Sequence, residues 1–533
     1  MPAPTILDAT GLPMPRASAF GPTTSHSAAD RVSQDLANWQ PALRSADADW
    51  LPERDTVVSR VRDLARNNGW ASGAMQRFVD QAIGANFRLS YRPSYAALGQ
   101  TADWARAFRR EVEEKFMAWA NDPRCYVDAA ERMTISGLVG LCFRHRLVEG
   151  ESLAVAQWLR RAGTSFATAI QVVDPDRLSN PNNVPDTVSL KGGVEINAYG
   201  APQAYHIRAH HPADSGLASM DSMRWERIPR RTPWGRTRVI HFFEAERADQ
   251  TRGKSILTPV VEKFRMEDRY GRTELQAALV NAIFAAFIES PFDHSLLEEA
   301  LDTGVSAYQT ARADFHNDRR LTLDGVRIPT LFPGESFKFS AAERPNASFA
   351  EFERAVLRHI AAGIGQSYEQ VAGDWSQTNY SSARAALLEA WKFLIARRDS
   401  YAAGVATPIF VLWLEEAIDN GTVEVPAGAP AFWDNVAAWT RCRWIGPGRG
   451  WVDPTKEAQA ALMRIDAGLS TLQDEAAEQG KDYEEILEQQ AYERARRREL
   501  GLPDPDVAGI QQTPVAAEPE EEKRPAGGNN GGR

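Results

Sequence analysis

One run of residues limits what this chain can become. From Ser255 to Ser290 the pattern predicts a single long helix, with Ser255 or Thr258 able to cap it and Pro259 tolerated in its first turn. Unbroken from Ile256 to Glu289 it would span roughly 50 Å. Its first half is studded with charge (Glu262, Lys263, Arg265, Glu267, Asp268, Arg269, Arg272, Glu274), whereas Ala277 to Ile288 is apolar but for Asn281. Such a helix cannot stand alone in water, so neighbours from the same chain or from identical subunits must wall its apolar half. A short, turn-rich, β-patterned insert follows, from about Pro291 to Arg344, in which Ser306–His316 can form a short helix, Arg327–Phe332 comes next and Ser336–Phe339 reads as a short strand. A second helix, Ser348 to Ile364, places Phe349, Phe352, Val356 and Ile360 on one face. Gln366 to Tyr380 reads as a loop, and a third long helix starts at Ser381 and runs on through Pro408–Leu414.

The rest of the chain reads as support for this stretch. At 533 residues it is too long for one small core and should divide into several lobes. The net charge of −10 argues against a protein that holds nucleic acid by a dense basic patch, though not against one that nucleic acid passes through. Cys125, Cys142 and Cys442 form no CxxC pair and are odd in number, which disfavours a structural zinc site or a disulfide framework and fits a reducing cytosol. No window reaches 18 uncharged apolar residues and no export signal pattern opens the chain, so neither export nor a membrane span is expected.

Met1 to about Ala48 is rich in Pro, Ser, Thr and Ala and reads as a mobile arm. From Arg54, Val57, Val61, Leu64 and Ala65 fall at helical spacing up to Asn67-Asn68-Gly69, and a second helix runs from Trp70 to Ile83. Thr101 to Ala120 carries Trp104, Ala107, Phe108, Val112, Phe116 and Trp119 on one side and Arg109, Arg110, Glu113 and Glu114 on the other. A basic-aromatic helix could bind DNA, but the interleaved acids and wide aromatic stripe favour docking on a core. Thr134 to Leu147 is a fourth, more apolar helix. The period then changes. Leu153–Leu159, Ala169–Val173 and Arg238–Phe243 read as strands, and Gly193–Asn197 with Ala204–Arg208 flank a hairpin turn at Tyr199–Pro202, giving a mixed α+β lobe up to about Arg252. Towards the other end, Gly421 to Pro430 is loose, four tryptophans (433, 439, 444 and 451) cluster, Pro454 to Leu500 is charged and helical, and the residues beyond Pro503 form a low-complexity tail.

The candidate chemical sites are weak. His206, His210 and His211 are close in sequence, but no acid or cysteine stands at a convincing metal-ligand spacing. Gly446–Gly450 shares only glycine content with a phosphate loop and reads as a tight turn. Glu149 and Glu151 could be paired acids, yet no partner base is near in sequence, and no hydrolase or dinucleotide motif appears. Nothing here supports catalysis, and no metal or cofactor is expected. The enzyme alternative is a nuclease or protease with carboxylates scattered along the chain.

From about Arg62 to Leu502 the chain resembles the lambda-type portal proteins of tailed bacteriophages. The resemblance rests on the joint order of short motifs: Arg66-Asn67-Asn68-Gly69-Trp70 with Ile83-Gly84, Val172-Val173-Asp174-Pro175-Asp176-Arg177-Leu178, Gly193-Val194-Glu195 with Ala204-Tyr205-His206-Ile207, and Val239-Ile240-His241-Phe242 with Gln250-Thr251-Arg252-Gly253. Gly334-Glu335, Trp444-Ile445-Gly446-Pro447 and Trp451-Val452-Asp453-Pro454-Thr455-Lys456-Glu457-Ala458 complete it.

The resemblance implies a mainly helical α+β portal fold. Its parts would be a disordered arm (1–48), a mixed α/β wing (49–254), a stem helix (255–289), a small α/β clip (290–347), a second stem helix (348–364) and a tunnel loop (365–380). A long kinked helix with a wing return (381–452), a helical crown (453–502) and a disordered tail (503–533) would follow. It further implies a ring of twelve subunits at one capsid vertex, present in the host cytoplasm during assembly and in the virion afterwards. Double-stranded DNA would pass through it, and it would meet the terminase large subunit, a head-completion or connector protein and the major capsid protein, with no membrane partner. The tunnel-loop residues would be Gln366, Tyr368, Gln370, Trp375, Gln377 and Asn379, in a segment without Lys or Arg. Arg319 and Arg320 would be the exposed docking pair of the clip. The alternative from another class is a minor capsid or scaffold protein without a DNA channel.

Overall fold

The computed structural model describes residues 26–29, 35–36, 38–214, 223–285, 314, 321–323, 326–328, 349–376, 380–450 and 453–503. The chain divides into two compact units, one built from the residues up to Phe87 with Tyr91–Cys442, the other from Arg88–Ser90 with the residues from Arg443 on.

The first unit begins with α1 (Ala46–Trp50), α2 (Arg54–Asn67) and α3 (Gly69–Ala82). Ala46, Asp47 and Ala48, expected within the mobile arm, belong instead to a docked helix: Asp47 is buried and accepts hydrogen bonds from the Thr251 amide (2.9 Å) and hydroxyl (3.1 Å). Asn68 ends α2 and caps α3, its side chain accepting from the Ala71 amide at 3.0 Å. On α2, Val61, Leu64 and Ala65 are buried as their spacing predicts, Val57 is only half-buried, and Arg54 and Val58 complete the buried face. Next come β1 (Arg88–Tyr91), α4 (Ala102–Ala120) and α5 (Ile135–Val148). Helix α4 docks on the core: Phe108, Val112, Phe116 and Trp119 are buried, Ala107 is exposed, and the Phe116 ring meets Phe410 and Trp413 edge-on at 5.4 and 5.2 Å.

Seven strands follow: β2 (Ser152–Trp158), β3 (Thr168–Val173), β4 (Leu190–Lys191), β5 (Val194–Ile196), β6 (Pro202–Arg208), β7 (Trp225–Pro229) and β8 (Val239–Phe242). They form an antiparallel three-stranded sheet, β3-β2-β8, in which Leu153 stands opposite both Val173 and His241. A four-stranded sheet, β4-β5-β6-β7, completes the lobe. Leu153, Val155, Val173, Val239, Val194, Tyr205, Ile207 and Ile228 make one core across the two sheets. The strands β4 and β7 carry too little alternation to stand out in the sequence; β7 exposes Glu226 and Arg227.

A single turn, Thr258–Val260, leads into α6 (Val261–Ala285). Within the insert, β9 (Leu321–Leu323) and β10 (Val326–Ile328) pair antiparallel; the strand expected at Ser336–Phe339 lies outside the described residues, as do Arg319 and Arg320. Helix α7 (Phe349–Ile364) is followed by α8 (Tyr368–Ala372), α9 (Tyr380–Tyr401), α10 (Thr407–Asp419) and α11 (Val436–Thr440). The buried face of α7 is Leu357, Ile360, Ala361 and Ile364, so Phe352 is not on it; Phe349 and Phe352 instead meet the Tyr270 ring of α6 at 5.5 and 4.8 Å. Helices α9 and α10 are joined by a π turn, Ala402–Ala406, with Pro408 just beyond it, and these are the two features that disturb the regular ladder of a long helix. The helical run Arg384–Asp419 holds an 18-residue stretch as apolar as a membrane span, 61% of it buried in the protein as in a core helix.

The second unit holds a two-stranded sheet of β1 with β11 (Cys442–Ile445), then α12 (Pro454–Asp466), α13 (Leu472–Glu478) and α14 (Tyr483–Glu499). Asp453, Thr471 and Asp482 cap these three helices with their side chains.

Candidate channel loop and its anchoring ion cluster

The entry to α6 is fixed by charge. Glu151, at the start of β2, is fully buried. Arg252 Nε lies 2.8 and 2.9 Å from its two oxygens, Arg54 Nη2 at 3.0 Å, His241 Nε2 at 3.0 Å, and the Gly253 amide donates to it at 3.0 Å. Arg252 also donates to the carbonyls of Leu178 (2.8 Å), Gly192 (2.7 Å) and Pro175 (2.8 Å). Burial alone pushes the Glu151 carboxyl up, but Arg252, Arg54 and His241 outweigh it and hold the group well below the carboxylate range. The backbones close over this cluster: Gly150 has φ +95°, and a Cβ on Gly253 would overlap the Gly150 carbonyl. Two residues on, the Ser255 hydroxyl donates to the Leu147 carbonyl at 2.8 Å and accepts from the Leu257 amide at 3.1 Å, so Ser255 rather than Thr258 turns the chain into the helix.

A second cluster adjoins it. Arg62 reaches Asp174 (3.0 Å), Asp176 and Glu149 (3.0 Å), with His145 3.4 Å from Glu149 and His211 3.3 Å from Asp176. Burial first, then Asp174, push the Glu149 carboxyl up to about 7, against the pull of Arg62. Both acids do meet histidines: His241 reaches Glu151 from β8, while His145 stands only four residues before Glu149 on α5, a base near in sequence that the motif reading passed over; yet each acid is held in an ion cluster with arginine. Among the described residues the atoms of Asp174, Asp176 and His211 lie within 4.8 Å of one another. This places acids beside a histidine where sequence spacing offered none, but the Arg62 guanidinium already occupies the space between the two aspartates. His206 pairs elsewhere, with Glu195 at 2.6 Å.

The segment after α7 is more ordered than a loop. Gly365 turns it at φ +73°, where a Cβ would also strike the Phe393 ring. Ser367 caps α8 in a reciprocal box: its hydroxyl accepts from the Gln370 amide (3.3 Å) and the Gln370 side chain accepts from the Ser367 amide (3.1 Å). Val371 is buried, and Arg77 of α3 donates to its carbonyl at 2.7 Å. Beyond Gly373, Asp374 accepts from the Ser376 amide at 3.0 Å, which with the Ser376 side chain holds its carboxyl below the usual range. The guanidinium of Arg358 lies 5.6 Å from the centre of the Tyr368 ring, and Trp375 is exposed.

The expected loop residues thus part company. Gln370 is spent on the cap, Gln366 has its side-chain oxygen buried without a partner, and Tyr368 and Trp375 present rings. Gln377 and Asn379 lie outside the described residues. The sequence reasoning gave no role to Arg54, Arg62 or Arg252. Its one available signal was an arginine at helical spacing from Val58 and Val61 on the buried side of α2.

A family model described as phage portal protein, lambda family, matches residues 33–398. The portal protein of Escherichia phage N15 is 38% identical over 479 residues, spanning 88% of this chain and 89% of that one. Portal protein B of Escherichia phage lambda is 37% identical over 498 residues, 92% of each chain. Among solved structures, a chain from the neck of an empty gene transfer agent particle, computed with C6 symmetry, is 14% identical with a TM-score of 0.42, covering 89% of this chain and 100% of its own; a likeness that loose carries no argument. The sequence relationships span nearly the whole chain, and on them the chain belongs to the lambda family of phage portal proteins.

Proposed function

We propose that this chain is the subunit of a portal ring at one capsid vertex, a structural conduit for double-stranded DNA. The observation that carries the reading, besides family membership, is the α6–α7 pair. On α6, Leu275 and Leu279 share a face and are 63% and 54% exposed, and Phe352 of α7 is 47% exposed. Large side chains left open along two long helices call for cover, and identical copies around an axis would supply it. In this reading residues 49–254 are the wing, 255–289 and 348–364 the stem, 290–347 the clip, 381–452 the long kinked helix and wing return, and 453–502 the crown. Mass measurement and negative-stain imaging of the purified protein test it. A ring with a central hole is expected; a stable monomer or a shell-like assembly overturns it.

Residues 365–380 serve as the tunnel loop. At the surface along which DNA slides it cannot be gripped, since each phosphate neutralised by a fixed cation adds a salt-dependent hold. A segment of polar and aromatic residues without Lys or Arg suits that need. Replacing Gln366, Gln377 and Asn379 by alanine is expected to impair packaging or retention of DNA; intact packaging and retention remove the role. The clip docks the terminase motor before packaging and a head-completion protein afterwards, with Arg319 and Arg320 as its docking pair. Reversing both weakens motor docking in this reading, and unchanged packaging counts against it.

A further inference from the structure

The second unit ends in a helix whose charges are sorted by face. On α14, at 3.6 residues per turn, Arg494, Arg497 and Arg498 fall within about 100° of arc. Glu485, Glu488, Glu493 and Glu499 occupy the remaining arc. The helix buries no residue, so its sorted charges face solvent rather than a core. Arg494 and Arg498 are exposed and have no acidic partner among the described residues; Arg497 is held by the Pro503 carbonyl at 2.9 Å. Arg496, off that face, pairs with Glu499 at 2.8 Å. Arginines in a last turn complement the helix dipole, which accounts for Arg497 and Arg498. Arg494 stands a turn earlier, and the dipole does not account for it. The result is a compact cationic face on a chain of net charge −10.

We propose that this arginine face of α14 contacts the phosphate backbone of duplex DNA, a proposal that rests on reading the chain as a DNA conduit. Arg494 and Arg498 stand about 6 Å apart along the helix axis. A duplex offers one charge per about 3.4 Å on each strand, so three guanidiniums within one turn can each meet a phosphate. Within that arc the only charges are the three guanidiniums, with no carboxylate among them, so contact is to the backbone and independent of base sequence. It complements the cation-free 365–380 segment: one surface holds DNA by charge, the other lets it slide. The competing occupant is the chain's own acidic run, Glu518, Glu520, Glu521 and Glu522, which is followed at once by Lys523 and Arg524 and so carries a diluted charge.

The test uses the full-length chain, the R494Q/R497Q/R498Q variant and the charge-keeping R494K/R497K/R498K variant, with fluorescence anisotropy of a labelled mixed-sequence duplex. Each phosphate contact adds about a 3.5-fold fall in affinity between about 50 and 200 mM NaCl, so losing three flattens that fall by roughly 40-fold per bound face. The Gln variant is expected to show this flattening and the Lys variant the native slope. An unchanged slope in a Gln variant of native mass and helix content overturns the arginine face and leaves the portal reading standing. A native chain that forms no ring overturns the portal reading and this proposal with it. If the native chain shows no measurable duplex affinity and gains it only as E518Q/E520Q/E521Q/E522Q, the tail occupies the face and the assignment to DNA in the native chain fails.

Discussion

The cluster around Glu151 and the segment from Gly365 to Ser376 handle polar groups in opposite ways. Around Glu151, side chains from α2, β2, β8 and the approach to α6 meet across up to 101 residues of sequence, with water excluded. In the later segment the polar side chains bond within a few residues of themselves: Ser367 with Gln370, Asp374 with Ser376. The first arrangement locks distant parts of the fold together and fails if one member is lost. The second folds a small unit locally and is fastened to the body mainly through Val371, Arg77 and the turn at Gly365. On the proposed reading, a long stem helix that must not swing needs the first kind of root, whereas a tunnel segment offered to moving DNA needs only the second.

The largest expected effect follows from breaking that root. Glu151→Ala leaves Arg252 and Arg54 buried without their shared carboxylate, which costs about 3–5 kcal/mol, since the uncompensated charge cannot reach water. That is a large fraction of the roughly 5–15 kcal/mol that keeps an ordinary domain folded. A denaturant midpoint within error of the native one would show that the cluster is not the root. Gly253→Ala should rank next, at about 1–3 kcal/mol: its new methyl would meet backbone, which cannot step aside as a side chain can.

The acids of the two clusters also separate by pH. Glu149 has its carboxyl raised from 4.5 to about 7 in the folded chain, so between those values the native state keeps a proton that the unfolded chain has lost. Stability from this group is therefore greatest below 4.5 and falls as pH rises towards 7, by up to roughly 3 kcal/mol. Glu149→Gln should flatten unfolding free energy across that window. Glu151 and Asp176, both held low, run the other way: their contribution is present at neutral pH and is lost as the pH drops below the ordinary carboxylate range. An unchanged slope from pH 5 to 7 in the Gln variant would place the titration elsewhere.

What the sequence made legible tracks the same divide. Helices α3 to α7 and strands β2, β3, β6 and β8 announce themselves by period, caps and breakers, because those signals are local. The ion clusters left little trace, since Arg54, Glu151, His241 and Arg252 are assembled only by the tertiary fold. Even the helix faces slipped where packing overrode pattern. Val58 is buried where Val57 is only half-buried, beside Arg54 and its bond to Glu151, and Leu357 is buried while the Phe352 ring lies against Tyr270. The loop erred differently. Ser367 and Gln370 form a capping box that is readable from spacing alone, yet glycines and polar residues on either side masked the single helical turn.

The smallest effects belong to that turn and sharpen the contrast most. Ser367→Ala removes one half of the box and should cost about 1 kcal/mol, read as a modest shift in unfolding midpoint. Trp375→Ala should cost less still, within about 0.5 kcal/mol, because the ring is 41% exposed and lies outside the buried core. On the tunnel-loop proposal, such a tryptophan would be kept in the open for what it touches in use rather than for what it packs on. Packaging assays on a Trp375→Ala ring of native stability measure that use directly. A loss of packaging or retention sets the 365–380 segment apart from the Glu151 root as a working surface. A ring that packages normally, or a variant destabilised as strongly as Glu151→Ala, makes the two regions alike.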